Sequence, residues 1–165
     1  MTFDRAPRLM GIVNVTPDSF SDGGTTFEPA AAVEHGLRLV DAGADLLDIG
    51  GESTRPGADQ VDVEEELRRV LPVVQALAEK TTVPISIDTS KAAVARQALA
   101  AGAEVINDIT ACRADSEMVP LVAETGCGVS LMHMQGTPAT MQNSPAYANV
   151  VDEVFDFLRD RRNAL

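Results

Sequence analysis

The sequence predicts a parallel α/β fold whose strands all deliver polar residues to one edge of the sheet. Three observations predict it. Apolar runs of strand length at residues 11–20, 46–57, 85–91 and 105–110 each end in polar residues and Gly, and a weaker fifth run spans 129–136. Segments of helical periodicity separate these runs. Short turns carrying Gly43, Gly102 and Gly126 bring each helix back to the next strand, supplying the positive φ that a helix exit uses. The connections after the strands are longer and polar, as expected where functional loops gather.

Two architectures accommodate five such units. A flavodoxin-like doubly wound sheet suits 165 residues, but it concentrates its chemistry at one switch point. A TIM-type (β/α)8 barrel aims every strand at one axis, so consecutive polar strand ends favour it, although a whole barrel runs to about 250 residues. The expectation is therefore a barrel truncated after about five βα units. Residues 1–165 then form one domain, the N-terminal part of that barrel. The doubly wound sheet is the alternative.

The helices follow from spacing. Residues 29–42 place Val33, Leu37 and Val40 on one stripe behind a first-turn Pro29. Residues 62–80 do the same with Leu67, Val70, Leu71, Val74 and Leu77, and Pro72 within them should kink or divide the helix. The run Glu64, Glu65 and Glu66 reads as a solvated face in the first turn, where acid complements the macrodipole. A third helix is expected from Ser90 to Ala101, with Val94 and Ala98 inward. A fourth is expected to be capped by Asp115. The last, from about Ala148, should turn Val151, Val154, Phe155 and Leu158 toward the core.

Bulk properties narrow the function. A net charge of −12 disfavours nucleic acid and anionic membranes as partners. No run approaches the ~20 apolar residues of a membrane span, and residues 1–8 do not read as a secretory signal. Cys112 and Cys127 lack metal-ligand spacing and read as reduced thiols of a cytoplasmic protein.

The loops carry the chemistry. The first, through Asp18, Phe20 and Asp22 to Gly24, is long, Gly-ended and holds one aromatic, which suits a lid as well as a plain connection. Asn14, just before it, offers an oxygen to a hard cation such as Mg2+. The second loop gathers hydroxyls, Arg55 and glycines, a set suited to phosphate oxygens or to a surface ion pair. Asp88 and Asn107 end the third and fourth strands. Together they can read a flat heterocycle presenting N–H donors and a carbonyl, while Asp88 alone is equally suited to cap the next helix. His133, between Met132 and Met134, suits either packing or ligand contact.

These segments together carry a resemblance. MGIVNVTPDSFSDGG (10–24), DIGGESTRPG (48–57), SIDTSK (86–91), INDI (106–109) and LMHMQG (131–136) closely resemble the dihydropteroate synthases of the folate pathway, enzymes targeted by sulfonamides. The resemblance implies a (β/α)8 barrel and a transferase that joins 6-hydroxymethyl-7,8-dihydropterin diphosphate to p-aminobenzoate, with Mg2+. It implies that Asp88 and Asn107 hold the pterin. Thr54, Arg55 and Asn14 would hold the diphosphate, with Asn14 also at the metal, and Asp88, Arg55 and Asn14 would be catalytic. Phe20, Pro56, Asp18 and Asp22 would form the p-aminobenzoate loops. The family's later Asp-Pro-Gly, Ser-Arg-Lys and Arg-x-His segments have no counterpart in these 165 residues, and the full-length form resembles a homodimer. A pterin-binding methyltransferase would share the Asp and Asn but not the anion loop. A catalytically incomplete half-barrel would only bind or self-associate.

Overall fold

The computed structural model describes residues 7–16, 29–53 and 61–165. Five strands alternate with five helices: β1 (Met10–Asn14), α1 (Pro29–Asp41), β2 (Leu46–Gly50), α2 (Val63–Lys80), β3 (Ile85–Asp88), α3 (Ala92–Ala100), β4 (Val105–Asp108), α4 (Met118–Thr125), β5 (Gly128–Leu131) and α5 (Val150–Ala164). All pairings are parallel, and the sheet order is β1-β2-β3-β4-β5. A doubly wound sheet reverses direction at a switch point. This one does not, so the flavodoxin-like alternative falls.

Steady progress across the sheet with right-handed crossovers places the helices on one face. Val13 and Val15 are buried, whereas the alternate residues Met10 and Ile12 are 41% and 47% exposed. Gly11 lies on the covered face, where a Cβ would meet the Leu39 side chain of α1 at 3.1 Å. The core lies between helices and sheet, with Leu47, Ile49, Ile85, Ile87 and Ile106 meeting Val70, Val74, Leu77, Val94 and Leu121.

The turn glycines behave as their spacing predicts. Gly43, Gly102 and Gly126 have φ of +102°, +114° and +63°. After α1 the N–H groups of Gly43 and Ala44 bond the carbonyls of Val40 and Leu39, and after α3 those of Gly102 and Ala103 bond Leu99 and Ala98. Both exits are the same Schellman closure.

Four expectations need correction. Of the two outcomes expected for Pro72, a kink or a division, division does not occur, since α2 runs unbroken from Val63 to Lys80. It sits exposed in the middle of the helix. Glu66 is not part of a solvated face but is fully buried, on the same stripe as Val70, Val73 and Leu77. Asp115 does not directly precede α4. Its carboxylate accepts from the Glu117 N–H at 3.0 Å and, across the units, from the Ala92 N–H of α3 at 2.8 Å. In α5, Val151 and Phe155 are 71% and 63% exposed and no residue is fully buried. Val154 and Leu158 of the same stripe are half-buried.

Candidate active site

Parallel register brings the polar strand ends into one row. Asn14 pairs with Gly50, Gly50 with Asp88, Asp88 with Asn107, and Asn107 with Ser130. The next row toward the strand starts holds Ile12, Asp48, Ser86, Val105 and Gly128. Side chains two residues apart on a strand share a face, so Asn14 and Ile12 place both rows on the face the helices leave open. Gly50 lies directly beside Asp88, where a Cβ would stand in van der Waals contact with Asp88 Oδ2 at 3.4 Å.

Asp88 is half-buried and does not cap α3, whose first N–H goes to Asp115 instead. Burial raises its carboxyl to about 7, helped by the negative charges of Asp48, Glu66, Asp108 and Glu52. Asn107 Nδ2 donates to Asp48 Oδ2 at 3.0 Å. The Asp48 carboxylate is itself buried, at 4% exposure.

A cation sits behind this row. Lys91 Nζ bridges Glu52, just past β2, and the buried Glu66 of α2. Burial would lower the ammonium pKa, but hydrogen bonds to the two carboxylates carry it above its ordinary value. Gly51 accommodates this packing, since a Cβ would lie 2.7 Å from Val70 Cγ1 and 3.1 Å from Glu66 Cγ. Arg69 adds a bond to the Gly51 carbonyl at 2.8 Å. The chain entering residues 54–60 is thereby tied to α2 and to the start of α3.

At the end of β4, the buried Asp108 accepts from Thr110 N at 2.7 Å, Thr110 Oγ1 at 2.7 Å and Cys112 N at 3.0 Å. The loop it holds runs left-handed at Ala111 (φ 55°) and Cys112 (φ 57°). Arg161 of α5 donates to the carbonyls of both residues, at 2.8 and 3.2 Å. His133 stacks edge-on against Phe157 at 4.9 Å, in keeping with the packing reading.

Asn14, Asp88 and Asn107 thus share one row, and Asn14 is exposed at its end. Asp18, Phe20, Asp22, Thr54, Arg55 and Pro56 lie outside the described residues. Among the described residues no group of three His, Cys, Asp or Glu side chains encloses a metal. Mg2+ is commonly held by one or two protein oxygens with phosphate and water, and the exposed Asn14 amide oxygen fits that sparse role. Sequence reasoning assigned no role to Asp48, Lys91 or Asp108, and read Glu66 only as part of a solvated face. A polar residue inside a buried strand (Asp48) and an acid on an apolar stripe (Glu66) were the available signals.

Comparison with known proteins agrees with this geometry. A family model described as pterin binding enzyme matches residues 10–165. The dihydropteroate synthase of Escherichia coli (strain K12) is 54% identical over 148 residues, covering 90% of this chain and 52% of that protein. The structure of Xanthomonas albilineans dihydropteroate synthase with 4-aminobenzoic acid is 56% identical, with a TM-score of 0.83 over 95% of this chain and 55% of that one. A Yersinia pestis dihydropteroate synthase structure with a sulfonamide drug complex is 49% identical, with a TM-score of 0.88 over 98% of this chain and 58% of that one. The chain spans about half the length of the curated relatives it matches. By its motifs, its parallel sheet and the span of the match, the chain belongs to the pterin-binding enzyme family.

Proposed function

We propose that this chain carries the pterin half of a dihydropteroate synthase site. The activity is condensation of 6-hydroxymethyl-7,8-dihydropterin diphosphate with p-aminobenzoate, releasing 7,8-dihydropteroate and diphosphate. The observation that carries the reading is the row Asn14–Gly50–Asp88–Asn107, a carboxylate and an amide side by side at the open strand ends. The carboxylate and the amide read the N–H and carbonyl pattern of a flat ring. Loss of diphosphate leaves positive charge on the pterin methylene. A carboxyl held near 7 is available in its ionised form near neutral pH, and that carboxylate would stabilise the charge as it develops.

Asn14 would help to hold Mg2+, which supplies positive charge against the diphosphate when bound. Thr54 and Arg55 would take the diphosphate oxygens, the Arg55 guanidinium in bidentate fashion. Phe20, Pro56, Asp18 and Asp22 would close around p-aminobenzoate, and sulfonamides would compete there. The arylamine attacks as a neutral nucleophile, so placement matters more than activation. The sequential sheet with one open face supports a (β/α)8 barrel of which these residues would form five units. Such an enzyme would work in the cytoplasm; no helix among the described residues is long and apolar enough to cross a membrane.

The test is diphosphate release on adding p-aminobenzoate to the chain with the pterin substrate and Mg2+. Asp88→Asn is expected to abolish turnover. An unchanged kcat/KM in that variant would overturn the assignment. Pterin binding without diphosphate release would instead support the half-barrel that only binds, a reading favoured by the exposed Met10 and Ile12.

A further inference from the structure

We infer that Asp48 is a positioning residue whose carboxylate fixes which way round the Asn107 amide faces, setting the donor and acceptor pattern offered to a ring. The identity of the ring rests on the pterin reading above; the geometry does not. Asn107 Nδ2 donates to Asp48 Oδ2 at 3.0 Å. A carboxylate accepts and an amide nitrogen donates, so turning the amide over would set two acceptor oxygens against each other. Among the described residues the Asn107 side chain makes no other hydrogen bond. Its oxygen is therefore held away from Asp48, an acceptor on a half-buried strand end.

Asp48 is a poor choice for the fold alone. Its Oδ1 and the hydroxyl of Ser86, its register partner on β3, are both buried without a hydrogen-bond partner among the described residues. Among the described residues no cation pairs with it, and Lys91 is engaged with Glu52 and Glu66. Unpartnered buried polar groups destabilise a fold, and well-packed neutral replacements are often neutral or stabilising. A carboxylate whose one partner is the site amide serves the site.

The experiment uses two pteridines of one shape and opposite pattern. A 2-amino-4-oxopteridine presents N3–H and a carbonyl, whereas a 2,4-diaminopteridine presents an acceptor N3 and an amino donor. The parent chain is expected to prefer the 4-oxo probe in binding titrations. In Asp48→Asn, whose amide both donates and accepts, Asn107 faces either way and the preference falls by about tenfold, with the melting temperature unchanged or raised. Asp48→Ser should show the same fall and serves if the first variant does not fold. Binding of both probes by the parent without preference, or an undiminished preference in a folded variant, overturns the inference.

Nitrogen-15 NMR reads the amide directly. The Asn107 NH2 cross-peak, identified by its loss in Asn107→Asp, should move when Asp48 is replaced. A stationary peak overturns the inference whatever the ligand does. If the parent binds neither pteridine while the peak responds to Asp48, the pterin reading fails and the positioning role stands.

Discussion

Replacing Asp88 by Asn should strengthen the fold while disabling the site. Burial, and then the charges of Asp48, Glu66, Asp108 and Glu52, push the Asp88 carboxyl from an ordinary 3.8 to about 7. That is about three powers of ten in proton affinity, each worth about 1.4 kcal/mol, or about 4 kcal/mol in all. Part of the carboxyl faces solvent, so about 2–4 kcal/mol is the working range. The sign follows from proton counting. Between about pH 4 and 7 the folded chain holds the Asp88 proton that the unfolded chain has released, so stability falls as pH rises through that window. Below it the carboxyl is protonated in both states and the penalty vanishes. An Asn carries no charge at any pH. Asp88→Asn should therefore match the parent at pH 4 and exceed it at pH 8 by about 5–15 °C in Tm. Thermal melts followed by circular dichroism from pH 4 to 8 measure this directly. Other titrating groups, such as Glu65, held down to about 2 by its hydrogen bonds to Arg68 and Arg69, are common to both chains and cancel in the difference. A difference that stays flat with pH, or a variant less stable than the parent at pH 8, would refute the reasoning from crowded acids.

Three further perturbations probe other parts of the molecule. Lys91→Met leaves the buried Glu66 without its ion-pair partner, and urea unfolding should show a loss of about 3–5 kcal/mol. Gly102→Ala forces a side chain onto φ +114° and to within 2.6 Å of Ala78 Cβ, which should cost about 2–4 kcal/mol in the same assay. Phe20→Leu, in the first loop, should raise KM for p-aminobenzoate and leave pterin affinity nearly unchanged. Equal loss of both would remove Phe20 from the arylamine pocket.

The sequence disclosed those features whose physics is local. Glycines at helix exits and polar residues at strand ends could be read directly, and parallel register then aligned Asn14, Asp88 and Asn107 without any further information. What stayed hidden depends on partners distant in the chain. Glu66 follows two other acids and reads as one of a solvated trio until Lys91, 25 residues on, is seen to meet it. Asp48 lies 59 residues from the amide it holds. Periodicity showed that Val151 and Phe155 lie on an apolar stripe of α5, but amphipathicity does not specify what covers such a stripe. Pro72 could be narrowed only to a kink or a break, because the ring removes one bond of the helix ladder without fixing how the helix responds.

The bond from Ala92 to Asp115 has a wider consequence. The start of α3 is closed by a residue of the next unit, while Lys91, just before α3, clamps two acids of the previous one. Arg96 of α3 also pairs with Glu124 of α4. Successive units are thus interlocked end to end rather than stacked as independent modules. Melting should pass along the sheet as one cooperative event, and weakening the latch at Asp115 should register in amide exchange at α3 before it does in α4.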